Sequence, residues 1–91
     1  MADCARRVRV TGRVQGVFFR AWTRDQAREL SVAGWVRNAA DGSVEAHVEG
    51  ERGAVDKLID RMRQGPPSAM VEDLQVEDVS AKGFDGFEVR H

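Results

Sequence analysis

The stretch GRVQGVFFR, residues 12–20, has the residue types of an anion cradle. Gly12 and Gly16 permit the positive φ angles that a curled backbone needs. Residues 14–19 include no Ser, Thr, Asp or Asn to cap the amides of a following helix. Uncapped amides that converge form a concave nest for an anion, and the dipole of the helix behind them adds to the attraction. Arg20 ends the stretch with a planar fork that matches two oxygens of a phosphate. A plain strand-to-helix turn with a solvated arginine has the same Gly-x-x-x-Gly spacing, so the glycine pair alone does not decide between the two.

Other reactive side chains offer less. His47 is expected on the exposed face of a strand, and His91 stands at the end of the chain. Neither is read as catalytic, although histidine is the usual proton carrier near neutral pH. Cys4 precedes the first predicted strand and has no base beside it in sequence, so no nucleophilic role follows. With no Cys or His neighbour at metal-ligand spacing, no metal site is expected either. Arg13 and Arg37 read as surface charges, and Trp22 and Trp35 as core or core-edge packing.

The elements that must position the loop follow from periodicity. Arg7–Thr11 alternates polar and β-branched residues, as a half-buried strand does, and Gly12 is expected to end it. Phe19, Trp22, Thr23, Gln26, Ala27 and Leu30 then recur at helical spacing, with Gly34 as the stop. The Thr23-x-x-Gln26 spacing is that of a capping box, which would start regular helix only at Arg24. Strands are predicted over Trp35–Ala39 and Ser43–Gly50, joined at Asp41-Gly42 by a type I′ turn. In the second of these, Val44, Ala46 and Val48 face one way and Glu45, His47 and Glu49 the other.

Ala54, Val55, Leu58, Ile59 and Met62 form the apolar stripe of a second helix, which Gly65-Pro66-Pro67 breaks off. A kinked fourth strand through Val71, Leu74, Val76 and Val79 and a short fifth at Phe87–Val89 complete the chain. The order β-α-β-β-α-β, with a possible fifth strand, predicts an α+β ferredoxin-like sandwich: an antiparallel sheet with two helices on one face. Ninety-one residues make one domain, 1–91, with no internal linker or low-complexity tract.

Composition narrows the function classes. The chain is 42% hydrophobic and 32% charged, which is an ordinary globular balance. No apolar run approaches the roughly 18 residues of a membrane span, and MADCARRVRV lacks the apolar core of a secretory signal. The single cysteine and these negatives point to the cytoplasm. A net charge of −1 conceals an asymmetry, since residues 1–28 carry seven arginines against Asp3 and Asp25. Such a cluster can draw in a small anion, whereas a nucleic-acid footprint needs a basic total as well.

The particular residues decide between the two readings of the loop. Gly12-x-Val14-Gln15-Gly16-Val17-x-Phe19-Arg20 resembles the first signature of acylphosphatases, small enzymes that hydrolyse carboxyl–phosphate anhydrides. Gly34-Trp35-Val36-Arg37-Asn38, followed by Gly42, Val44 and Gly50, resembles the second, and Phe87-Glu88-Val89-Arg90 resembles the family's ending. The likeness implies that Arg20 binds the phosphoryl group together with the backbone amides of Gln15, Gly16, Val17, Phe18, Phe19 and Arg20. It implies that Asn38 orients the attacking water, without metal, cofactor or phosphoenzyme.

A small acyl phosphate is then the expected substrate, with inorganic phosphate or sulfate as product-like ligands. A monomer without nucleic-acid or membrane partners is expected. His91 stands where some members have Tyr. The alternative is a non-catalytic ferredoxin-like module that binds a ligand or RNA. RNA modules on this fold stack bases on aromatics of the exposed sheet face, but Arg7, Arg9, Thr11, Glu45, His47 and Glu49 include none.

Overall fold

The computed structural model describes residues 3–91. The first strand, β1 (Cys4–Arg13), is followed by α1 (Phe19–Glu29), β2 (Ala33–Asn38), β3 (Val44–Gly50), α2 (Arg52–Gln64), β4 (Met70–Asp78) and β5 (Phe87–Arg90). The five strands lie in the order β4-β1-β3-β2-β5. β3 pairs antiparallel to both β1 and β2, so β1 and β2 run the same way on either side of it. This is the split βαβ arrangement expected from the element order. The sheet is not wholly antiparallel, however, because β5 pairs parallel to β2 and makes it mixed.

Alternation on β1 sends Val8 and Val10 inward, where they meet Val36, Val44, Ala46 and Val48 of the neighbouring strands. Phe19 and Ala27 of α1, with Val55, Leu58, Ile59 and Met62 of α2, close the same core. Both helices therefore cover one face, each through its apolar stripe.

Several boundaries differ from the periodic reading, and each has a local cause. β1 runs from Cys4 to Arg13 because β3 and β4 pair along both of its edges, and Cys4 is a buried strand residue. Gly12 does not end the strand. It passes through at φ 121°, where a Cβ would lie 2.2 Å from the Met70 carbonyl oxygen. There Thr11 faces Asp73 and Gly12 faces Val71, so Glu72 is the extra residue of a bulge. This irregularity accounts for the kink expected in β4.

The capping box is not used. Helix α1 starts at Phe19, Thr23 is buried inside it, and Gln26 Oε1 instead accepts a 2.7 Å bond from Arg61 of α2. The helix ends at Glu29 with Leu30 as its C-cap, and just beyond it Ser31 takes φ 59° while Val32 N–H donates to the Ala27 carbonyl. Gly34 lies within β2. At the β2–β3 hairpin only Gly42 has positive φ, at 94°, and Gly42 N–H donates to the Ala39 carbonyl. That is a three-residue loop, a turn followed by a left-handed glycine, in place of type I′.

The outer sheet face is also not the open surface expected. His47 and Glu49 are only 1% and 2% exposed. The segment between β4 and β5 is the cover: the amides of Lys82, Gly83 and Phe84 bond to the Glu49 carboxylate. Trp35 is buried on this face too, stacked on His47, with the guanidinium groups of Arg7, Arg37 and Arg90 each 5.0 Å from its ring centroid. It is thus covered by cations and lies outside the core cluster.

Candidate active site

The connection from β1 to α1 forms the site. Val14 at its start is buried in the core, and Val17 packs against the core from the loop. Between them Gly16 takes φ 72°, and Phe18, the N-cap of α1, takes φ 63° and ψ 18°. Alternating left-handed residues curl the backbone so that successive amides converge. No side chain caps α1, and none of the amides of residues 15–20 donates elsewhere in the described chain. An uncapped helix N-terminus behind such a curl is suited to an anion.

A side chain joins this loop to the second motif. Gln15 Nε2 donates to the carbonyls of Ala39 and Ser43 at 2.9 and 2.8 Å, which pins the loop to the β2–β3 hairpin. The hairpin is held from its other side by Asp41, whose Oδ1 accepts from the backbone amide and hydroxyl of Ser43. Asn38, the last residue of β2, is thereby fixed beside the loop. Its Oδ1 is buried and has no hydrogen-bond partner among the described residues. An unpaired buried acceptor costs about 1–3 kcal/mol, a cost that a water or substrate donor at this position would remove.

These groups meet in a cavity of about 400 Å³ lined by Val14, Gly16, Phe18, Phe19, Arg20, Ala21, Arg24, Asn38, Val89 and His91. The Arg20 guanidinium is held at its edge by β5, donating to the Arg90 carbonyl at 3.3 Å and to His91 Nδ1 at 3.1 Å. With Arg24 one helical turn further on and no acidic residue in the wall, the cavity favours an anion.

Of the residues expected from sequence, Gly16, Phe18, Phe19, Arg20 and Asn38 share this one cavity. Gln15 and Val17 are not part of its wall. Arg24, Val89 and His91 also line it, although the sequence assigns none of them a site role. Arg24 was legible as the i+4 neighbour of Arg20, whereas Val89 and His91 arrive through the long-range β2–β5 pairing and left no local signal. Among the described residues, no three His, Cys, Asp or Glu side chains are grouped to hold a metal ion. No helix among them is long and apolar enough to cross a membrane.

Known proteins are similar along the whole length of this arrangement. The family model Acylphosphatase matches residues 6–89. An acylphosphatase from Rubrobacter xylanophilus is 59% identical over 85 residues, which cover 92% of this chain and 77% of that one. Among solved structures, acylphosphatase from Bacillus subtilis superposes with a TM-score of 0.93 at 35% identity, each chain covered in full. One from Coxiella burnetii gives 0.92 at 39% identity, covering 96% of this chain and 92% of that one. The nest, the guanidinium and the carboxamide thus lie within a match running from β1 into β5, and the chain belongs to the acylphosphatase family.

Proposed function

We propose that the cavity beside α1 hydrolyses the carboxyl–phosphate bond of small acyl phosphates without a metal ion. The observation that carries this reading is the convergence, on one cavity, of uncapped amides, Arg20 and the unpaired Oδ1 of Asn38. Phosphoryl transfer needs little covalent help from a protein. It needs charge stabilisation and an aligned nucleophile.

The amides of residues 15–20 and the Arg20 fork supply the first, strengthening as charge gathers on the equatorial oxygens. Asn38 supplies the second, with Oδ1 accepting a hydrogen bond from the attacking water. The water oxygen bonds to phosphorus and the bridging P–O bond breaks. The electron pair leaves on the carboxylate, a weak base that needs no acid catalyst. A phosphoryl oxygen of the substrate takes the water proton.

Residues 1–91 act in this reading as one monomeric domain in the cytoplasm, with the substrate as the only partner and no nucleic acid or membrane. The test is release of phosphate from benzoyl phosphate by purified protein in excess chelator, with sulfate added as competitor. Turnover well above buffer and competitive inhibition by sulfate are expected. Binding of sulfate with no turnover would favour the non-catalytic module instead.

A further inference from the structure

The phosphoryl-binding groups occupy only part of the cavity wall. The acyl half of the substrate is bonded to the phosphoryl group through a single oxygen, so it must lie within a few ångströms of the nest and meet what remains. The remaining wall joins the apolar Val14, Phe18, Ala21 and Val89 to Arg24 and His91.

Phe18 is the unusual member. The residue is 83% exposed, while the adjacent Phe19 is 1% exposed and Phe87 3%. Its backbone lies in the left-handed region, which is unfavourable for a bulky side chain and natural for Gly or Asn. The backbone on both sides of the ring is hydrogen-bonded. The Phe18 carbonyl accepts the first bond of α1 from Trp22 N–H, and the preceding Val17 carbonyl accepts from Ser68 Oγ. A strained backbone presents a large apolar ring to solvent at the edge of an anion site, and no stacking partner for that ring lies among the described residues.

Resting on the function proposed above, we propose that Phe18 is a specificity residue. Its ring receives the acyl half of the substrate and favours a flat, apolar acyl group over a small or polar one. Contact with a ring face rewards planar apolar groups and offers nothing to a hydroxylated or charged chain. The selectivity arises outside the nest, so it is separable from phosphoryl binding.

The test compares kcat/KM for benzoyl phosphate with kcat/KM for acetyl phosphate in the wild type, Phe18→Asn and Phe18→Leu. Asn suits the left-handed backbone and removes the ring; Leu keeps apolar bulk without a flat face. The benzoyl-to-acetyl ratio is expected to fall by about 3–10-fold in Phe18→Asn, with Phe18→Leu between. Because the readout is a ratio, a general loss of loop geometry cancels. If a variant turns over too slowly, the same ratio is read from dissociation constants of the two methylene phosphonate analogues, in which CH₂ replaces the bridging oxygen.

An unchanged ratio in Phe18→Asn overturns the proposal. If that occurs while the wild type hydrolyses both substrates and Arg20→Ala hydrolyses neither, only the role of Phe18 is lost. If the wild type hydrolyses neither substrate, the function itself is wrong.

Discussion

Two segments of this chain gather consecutive backbone amides, and they differ in what the amides bind. Between β4 and β5, the amides of Lys82, Gly83 and Phe84 donate to Glu49 at 2.8, 2.9 and 3.1 Å, and His47 Nε2 donates to the same carboxylate at 2.7 Å. Between β1 and α1, the amides of residues 15–20 have no such acceptor among the described residues, and Gly16, Phe18, Phe19 and Arg20 line a cavity. One nest is filled by the protein's own carboxylate and ties a segment onto the sheet. The other is left for an anion from outside. Consecutive amides are thus available to a ligand only where the fold withholds an internal partner.

The largest effect is expected from removing the cation of the open nest. Arg20→Ala is expected to abolish detectable turnover and to weaken sulfate binding, measured by steady-state kinetics and calorimetry, with the thermal melt retained. Arg20→Lys should serve poorly, since a point charge cannot reproduce a planar fork. A fully active Arg20→Ala variant would leave the open nest without a functional role.

A smaller effect is expected from the water-orienting group. Asn38→Ala should lower kcat by about 10²–10³-fold, as loss of one preorganised polar contact does in other active sites. Inhibition by inorganic phosphate should be nearly unchanged. A variant that lost phosphate affinity but kept its kcat would reverse the roles given to Asn38 and the nest.

The closed nest should respond in stability and leave the kinetics alone. Glu49→Gln replaces one acceptor oxygen with a donor that faces N–H groups, at a cost of about 1–3 kcal/mol. Each kcal/mol lowers the melting temperature of a domain this size by about 4–8 °C, and KM should not move. Acid should have the same effect on the native protein. Burial pushes the Glu49 carboxyl up, but the donors from Lys82, His47, Gly83 and Phe84 outweigh it and hold the group below its ordinary 4.5. Its contribution is therefore fully present above that ordinary value and is lost as pH falls toward and through the lowered one. Denaturant melts between neutral and acid pH should show this slope in the wild type and a shallower one in Glu49→Gln.

The finest distinction uses a matched pair of glycines. Gly16 and Gly83 have φ 72° and 83°, and a Cβ at either would meet nothing within 4 Å. Alanine at each should cost about 1–2 kcal/mol of backbone strain and no clash. Gly16→Ala should also raise the inhibition constant for phosphate several-fold, and Gly83→Ala should not. Equal kinetic effects would show that the two nests are not functionally distinct.

The open nest was legible in sequence and the closed one was not. Gly16, the lack of capping residues and Arg20 fall within nine consecutive residues, where local spacing carries the signal. Glu49 looked like an ordinary outward residue of an alternating strand, because its three amide partners lie more than thirty positions away. His47 reads as exposed for the same reason, and Trp35 as core or core-edge packing, with no local sign of the three arginines that cover it on the outer face. The Thr23–Gln26 spacing misled in the opposite direction. A local pattern suggested a cap, and packing between α1 and α2 used Gln26 elsewhere.

By itself the sequence determined the element order, the inward valines, the curled loop and the cation that ends it, since each is a property of neighbouring residues and of their backbone preferences. Tertiary structure alone decided that Asn38 stands beside that loop through Gln15, that β5 runs parallel to β2 and brings His91 to Arg20, and that Phe18 is left in solvent. These depend on pairings between distant segments, where burial and register choose among partners that the local sequence does not distinguish.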